Sequence, residues 1–307
     1  MKKISVDTVV STFSAKHLPA IQIESEEIVQ LETLDCFSNR LRSGVWAPTS
    51  PTDENPATGP IYVRGAHPGT MLRVDILDID LWEYGVIESV PGSGCLGQYI
   101  VKERARLVPI RDGEAILSED LRIPVTPMIG VLGVAPETGE TMTVLPGNHG
   151  GNMDCTRIGI GSTIYLPVFV EGALLAVGDI HAAMGDGEIG VSGLEVPGSV
   201  TLRLSVENQF YVPFPMVFHE GRGHAVASAE TLDQACEQAA KNLYHFIVHV
   251  GGVPSADAVA LMTIAADMHV CQMVNQLRTA CMSIPAKYCP MIQKMQIKDS
   301  SLFEQRN

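Results

Sequence analysis

Glycine and proline punctuate residues 40 to 225 and cut this part of the chain into short β-rich runs, the texture of a sheet sandwich or barrel. The runs fall at 28–34, 61–63, 70–81, 99–109, 163–170, 174–180 and 199–206. In Leu72-Arg73-Val74-Asp75-Ile76 apolar and polar residues alternate, which puts Leu72, Val74 and Ile76 on one buried face. Leu202, Leu204 and Val206 repeat the pattern against Thr201, Arg203 and Ser205.

The period changes after residue 228. Leu232, Ala235, Cys236, Ala239, Leu243, Phe246, Ile247 and Val250 recur at the spacing of an amphipathic helix. Thr231 with Gln234 forms a capping box at its start, and Gly251-Gly252 supplies the stop. A second helix is expected from Ser255 through Val259, Met262, Ile264, Ala265 and Met268 towards Val274. The chain thus reads as mainly β with α/β additions. A β-sandwich-like core over 1–225 carries the site, and a helical C-terminal part over 226–307 packs on the same domain. Three prolines within residues 48–56 defeat both helix and central strand, so this stretch is expected as a surface loop near a site mouth.

The 307-residue chain is long enough to bury a substantial core. Its formal net charge of −14 works against binding a phosphate backbone, so nucleic acid is not an expected partner. Seven cysteines without a C-x-x-C pair indicate neither a disulfide framework nor a zinc ribbon, and fit a reducing cytoplasm. The N-terminus lacks the apolar stretch of a secretory signal, and no apolar run approaches the roughly 18 residues that suggest a bilayer span. A cytoplasmic protein with no membrane partner is expected.

Metal-capable side chains and glycines are densest in Pro146-Gly147-Asn148-His149-Gly150-Gly151-Asn152-Met153-Asp154 and in Gly178-Asp179-Ile180-His181-Ala182-Ala183-Met184-Gly185-Asp186-Gly187-Glu188. Such glycine density points to special backbone angles or close approach to a ligand, with Asn152, Gly150 and Gly151 as candidate substrate contacts. Asp179 and His181 stand two apart at the end of an apolar run, so in an extended chain they face the same way as a two-residue chelate. A carboxylate with an imidazole suits a borderline divalent cation such as zinc, and an oxygen-lined site suits calcium or magnesium. His149, Asp154 and Glu195 are candidates to complete the set. A cation there would polarise an amide carbonyl and acidify a water, with Glu188 as the carboxylate that takes the proton.

No G-x-S-x-G elbow occurs. Cys155 is the one cysteine placed to act as a nucleophile, with His149 as its base, set against the ordinary reading of cysteine as a small buried hydrophobe. His219 and His224 are expected in a plain surface loop.

These two elements resemble the P-G-x-x-G-G-N-x-D and G-D-x-H-x-x-Q-G-D-G-E elements of the acetamidase/formamidase family. The resemblance extends to Glu32-Thr33-Leu34-Asp35-Cys36, to Asn55-Pro56-Ala57-Thr58-Gly59-Pro60-Ile61-Tyr62-Val63 and to Gly130-Val131-Leu132-Gly133-Val134-Ala135-Pro136. It implies a β-sandwich-like core with added α/β structure, a homodimer, and metal-dependent hydrolysis of formamide or acetamide to ammonia and the acid. It also places Asp35, His149, Asp154, Asp179, His181, Glu188 and Glu195 at or near the active centre. Two departures stand out. Met184 occupies the position of the family glutamine, and residues 189–194 are more apolar than the pattern. The alternatives are a non-catalytic metal- or ligand-binding member of the same fold and a hydrolase of another carbon–nitrogen bond.

Overall fold

The computed structural model describes residues 1–40 and 54–290. The expected loop over 48–56 lies outside the described residues up to position 53. We number the strands that position the site in chain order. They are β1 (Glu27–Thr33), β2 (Ala57–Val63), β3 (Met71–Leu81), β4 (Met128–Gly133), β5 (Gly150–Asn152), β6 (Thr163–Pro167), β7 (Ala173–His181), β8 (Gly198–Glu207), β9 (Met216–His219), β10 (Arg222–Ala229), β11 (Asp267–Gln272) and β12 (Arg278–Pro285). The helices are α1 (Leu232–His245) and α2 (Ser255–Ala265).

The alternating segments become the centre of the larger sheet. Its order among the described residues is Lys2–Ile4, β1, β8, β3, β6, β9, β10, β12, β11. Leu72, Val74 and Ile76 on β3 and Leu202 and Leu204 on β8 are fully buried on one face, as their alternation requires. A second sheet runs Pro146–Gly147, β5, β4, β7, β2 and Val9–Val10, with Ile21–Ile23 pairing parallel to β2. Ile129 and Leu132 of β4, Leu175 and Val177 of β7 and Ile61 of β2 meet the larger sheet's inner face in one continuous core. The result is the sandwich that the punctuated β pattern calls for. A four-stranded antiparallel sheet, formed by Tyr84–Ser89, Arg104–Arg111, Glu114–Ile116 and Arg122–Pro124, is added beside it.

The helices cover the outer face of the larger sheet. Leu243, Phe246 and Ile247, with Ala258 and Met262, pack on Met71, Tyr165, Met216, Phe218 and Ile284. The capping box at Thr231 and Gln234 is complete in both directions, a feature that contributes about 1 kcal/mol. The last turn of the first helix widens into a π-helix over Phe246–Val250 before Gly251.

One expected element differs. The second helix stops at Ala265, and the segment expected to continue through Met268 towards Val274 is instead β11. Met268 continues the helical spacing of Ile264 and Ala265, and with Val270 it also fits the two-residue spacing of a strand. The open edge of β12 decides between them by offering a ladder of backbone partners, with Met268 opposite Met282 and Val270 opposite Ala280. Among the described residues no helix is long and apolar enough to cross a membrane.

Candidate active site

Strand β7 delivers Asp179 and His181 at its end, and β4 runs antiparallel beside it with Ile129 opposite Ile180. On the other side of β4 lies β5, whose Asn152 stands opposite Val131 and leads directly into Asp154. The segment after β7 returns Glu188 and Glu195, the latter bridging to both His181 and Val86. Six side chains of the two motif regions thus converge on one point.

The convergence demands unusual backbone. Asp154, Asp179 and Glu188 all adopt positive φ, at 44°, 55° and 45°, as does Asn55 at 50°. Non-glycine residues enter this left-handed region at a cost of order 1–3 kcal/mol each and persist only where the surroundings over-determine them. Asp179 does so within a strand, which turns its carboxylate toward Asp154.

These groups enclose a cavity of about 170 Å3 lined by carboxylates and amides. Asp154, Asp179, Glu188 and Glu195 are between 1% and 7% exposed, and His181 is wholly buried. Ligand atoms of Asp154, His181 and Glu188 lie within 4.8 Å of one another, and so do those of Cys36, Asp179 and Glu195. His181 Nε2 stands 3.2 Å from Glu195 Oε1 and 3.5 Å from Asp179 Oδ1. Asp179 Oδ1, Glu188 Oε2 and Glu195 Oε2 accept no hydrogen bond, and His181 Nδ1 makes none.

Three asparagines hold the carboxylates in place. Asn275 Nδ2 donates to Asp154 Oδ2 at 2.9 Å, and Asn55 Nδ2 donates to Asp179 Oδ2 at 3.2 Å. With its amide nitrogen turned to the acids, Asn152 donates to both Asp154 and Asp179 while its oxygen accepts from Asn55 and Asn275. This closed ring of amides satisfies both oxygens of Asp154 and Oδ2 of Asp179, and it leaves Asp179 Oδ1 without a hydrogen bond.

Crowding shifts the titrations. Burial pushes Asp154 up to about 7, helped by the neighbouring Asp179 carboxylate. Burial pushes Glu195 up to about 8, with His181 opposing it and Asp179 adding to it. Glu188 is raised well above the usual carboxylate range by burial and by Asp154. For His181 burial works downward, but the Glu195 and Asp179 carboxylates outweigh it and hold the imidazole well above its ordinary value.

Asp154, Asp179, His181, Glu188, Glu195 and Asn152 are therefore brought together. Five other sequence candidates are not. Asp35 is buried, and its Oδ1 accepts the backbone N–H of Phe37 and of Asn39, which shapes the turn that presents Cys36 to the cavity. His149 turns its ring edge onto Phe13, with centroids 5.1 Å apart, and does not line the cavity. Burial lowers its pKa to about 4, so the imidazole is neutral at physiological pH. Gly150 and Gly151 (φ +93° and +80°) serve close strand packing, because a Cβ at either would lie 2.3 Å from a backbone oxygen of Leu132 or Leu145. Met184 lines a second, largely apolar chamber of about 620 Å3.

That chamber shares Glu188 and Ser192 with the acidic cavity, and Ile189 and Leu194 join Met184 in its wall. Both departures from the family pattern thus fall on one space. The thiol route through Cys155 is overturned. Cys155 is fully buried against Cys271 and Cys281, while His149 packs on Phe13.

Sequence reasoning also missed Cys36, Glu88 and Asn275, which line the cavity. Asn275 lies in a strand connection 121 positions from Asp154, and no local pattern marks it.

A ring of buried acids and one imidazole, oriented by amides at the strand ends of a sandwich and strained in its backbone, defines an enzyme's centre rather than a packing feature. The comparisons with known proteins agree. The sequence profile of the acetamidase/formamidase family matches residues 138–288. An acetamidase/formamidase structure from Thermoanaerobacter tengcongensis is 40% identical, covers 95% of this chain and 98% of its own, and superposes with a TM-score of 0.92. The acetamidase of Bacillus halodurans is 39% identical, with 94% and 99% covered and a TM-score of 0.89. The acetamidase of Mycolicibacterium smegmatis is 30% identical over 214 residues, which are 48% of this chain and 52% of that relative. The formamidase of Methylophilus methylotrophus is 26% identical over 250 residues, 59% of this chain and 61% of its own. The match therefore spans about half to three fifths of these two longer relatives. The chain belongs to the acetamidase/formamidase family, a family of amide hydrolases.

Proposed function

We propose that the protein hydrolyses a small aliphatic amide to ammonia and a carboxylate with the help of a divalent cation, zinc or calcium. The observation that supports this reading most is the set of buried carboxylate oxygens, at Asp179, Glu188 and Glu195, that accept no hydrogen bond and belong to two adjoining groups of mutually close donors, Cys36–Asp179–Glu195 and Asp154–His181–Glu188. Burying several unpaired carboxylates costs several kcal/mol each, and a cation offsets that cost. The donor set fits such a cation: Asp154, Asp179, His181 and Glu195 would hold it. It would supply Lewis-acid polarisation of the amide carbonyl and acidify a water.

The chain's own residues do the rest. Glu188 lies beside Asp154 and His181, at the wall between the two cavities, with one oxygen free of hydrogen bonds. It takes one proton from the attacking water as the oxygen–carbon bond forms. It returns that proton to the amide nitrogen as the carbon–nitrogen bond breaks, so ammonia leaves with the carboxylic acid, whose remaining proton passes to the ammonia to give ammonium and carboxylate. The asparagine ring keeps Asp154 and Asp179 from rotating during these steps. The test is ammonia release from an amide panel, lost on chelation and restored by a divalent cation. A protein that binds metal stoichiometrically and turns over no amide would be a non-catalytic binder instead.

The apolar chamber favours a substrate longer than formamide. Its lining residues, Met184, Ile189 and Leu194 among them, offer contact to an aliphatic chain while the amide lies at Glu188. Each methylene buried there contributes about 0.8 kcal/mol. We expect kcat/KM to rise along the series from acetamide to valeramide. A steady fall from formamide onward would place the whole substrate in the acidic cavity.

Stability should report the cation as well. Asp154 and Glu195 have folded pKa values raised to about 7 and 8, above the unfolded values of 3.8 and 4.5. The stability they contribute is full at low pH and is lost as pH rises through the folded values. His181 is raised too and has the same sign. His149 and His224 are lowered and have the opposite sign, but their contribution is complete above pH 6.5. The ion-free protein should therefore lose Tm between about pH 6.5 and 8.5, and added cation should abolish the loss. A Tm that stays flat or climbs without cation across that window would contradict the burial of these acids. The same reading takes the protein as a cytoplasmic homodimer, supported by seven cysteines without a C-x-x-C pair and by the family resemblance. Light scattering on the purified chain checks the dimer.

A further inference from the structure

Three cysteines that no sequence motif connects meet in the core behind the acidic cavity. The Sγ atoms of Cys155, Cys271 and Cys281 lie within 4.8 Å of one another, and all three residues are 0–2% exposed. Their meeting follows from strand register. Cys281 on β12 stands opposite Val226 on β10, so His224, two residues from Val226, shares its face. Cys281 also stands opposite His269 on β11, and Cys271 is the extra residue of a bulge between Val270 and Gln272. A bulge re-aims a side chain, and here it accompanies the thiol's position beside Cys281. Cys155, carried in just after Asp154, closes the group from the neighbouring segment.

A fourth donor is present. His224 Nδ1 lies 4.0 Å from Cys281 Sγ, and His224 is 3% exposed. His219 and His224 were expected in a surface loop. They instead lie on a tight hairpin, β9 to β10, that turns at Glu220-Gly221 and takes His224 into the core.

We propose that Cys155, Cys271, Cys281 and His224 form a closed structural zinc site, separate from the catalytic centre. Three thiolates and one imidazole are a standard structural zinc donor set. In a tetrahedral site with Zn–S of about 2.3 Å and Zn–N of about 2.0 Å, neighbouring ligand atoms stand roughly 3.6–3.8 Å apart. The 4.0 Å and sub-4.8 Å separations need only a small contraction to reach that geometry. Three thiolates around Zn2+ leave one negative charge. The Arg157 guanidinium lies close enough to Cys155 and Cys281 to interact with them electrostatically, and the Arg157 backbone N–H hydrogen-bonds Cys155. Thiols serving only as small apolar packing have no use for a cation at their side.

The site would staple the segments that carry the catalytic acids. Cys155 follows Asp154 directly. The Cys271 carbonyl accepts the N–H of Gly187, next to Glu188, at 3.0 Å, and the Gly187 carbonyl accepts that of Met273 at 3.1 Å. Arg157 extends the link with a bidentate pair to Asp186.

X-ray absorption at the zinc edge of the purified full-length protein tests this directly. The expected result is a sulfur shell in the zinc spectrum, with release of that zinc by an organomercurial that caps thiols. After cobalt replacement, a sulfur-to-cobalt charge-transfer band should appear, persist in Cys36→Ser, and be lost in Cys281→Ser and in His224→Ala/Cys271→Ser. The Cys36→Ser control matters because Cys36 is the thiol that borders the acidic cavity. Zinc bound with oxygen and nitrogen neighbours only, a band that follows Cys36, or a disulfide between any two of the three cysteines would each overturn the site. The wild-type spectrum and the mercurial release decide the matter even if a variant fails to fold.

Discussion

Replacing Glu188 with glutamine is expected to lower kcat by about 10²–10⁴-fold while cation content stays at the wild-type level. Glutamine keeps the shape of the side chain and its packing, since Glu188 is only 7% exposed, but it cannot accept a proton from water or return one to nitrogen. The residue is singled out by position. It is the one acid that borders both the acidic cavity and the apolar chamber, and its Oε2 has no hydrogen-bond partner. Steady-state ammonia release paired with elemental analysis separates the roles. An unchanged kcat would remove Glu188 from proton transfer, and loss of the cation together with activity would make it a ligand.

The second large effect comes from a residue with no side chain. Gly130 on β4 passes directly beneath the two acids, and a Cβ there would stand 2.5 Å from Asp154 Oδ1 and 2.6 Å from Asp179 Oδ2. Real Cβ contacts do not come so close, so Gly130→Ala must push both carboxylates away. The Gly130 carbonyl meanwhile anchors the N–H groups of Met153 and Asp154, which limits how far the strand itself can shift. A displacement near 1 Å at a catalytic centre costs on the order of 10²-fold in rate. Overpacking of this kind destabilises by about 1–3 kcal/mol. We expect kcat/KM to fall at least 10²-fold, with weakened cation retention and an unchanged far-ultraviolet circular dichroism spectrum. Near-normal activity in this variant would mean that the two acids are not held at the positions that the amide ring and β4 define.

The two effects probe different parts of the same device. In the proposed reaction Glu188 performs chemistry, whereas Gly130 makes room for the groups around it. The amide ring of Asn55, Asn152 and Asn275 belongs with Gly130, since it holds both oxygens of Asp154 and Oδ2 of Asp179. On the same proposal the apolar chamber selects what reaches Glu188, and it is walled by positions, Met184 and several of the 189–194 stretch, at which this chain departs from the family pattern.

The sequence by itself determined those features that depend on near neighbours. The two-residue alternation at Leu72–Ile76 and Leu202–Leu204 set which face of the larger sheet is buried, because side chains in a strand alternate whatever the sheet's order. Thr231 and Gln234 set the start of the first helix, because a capping box closes within one turn. The motif that carries Asp179, His181 and Glu188 located the site, because those acids lie within ten residues of one another.

Only the tertiary structure decided the rest. His149 and Asp154 share one motif, yet the hairpin at β5 sends the imidazole onto Phe13 and the carboxylate into the cavity. The segment after α2 fits two periods equally, and the edge of β12 makes it a strand. Asn275, 121 residues from Asp154, and the three cysteines spread over positions 155 to 281 come together only through sheet order and register. Local patterns encode direction and burial. The distance between groups remote in sequence is fixed by packing, and the meeting of four buried acids is a property of that packing alone.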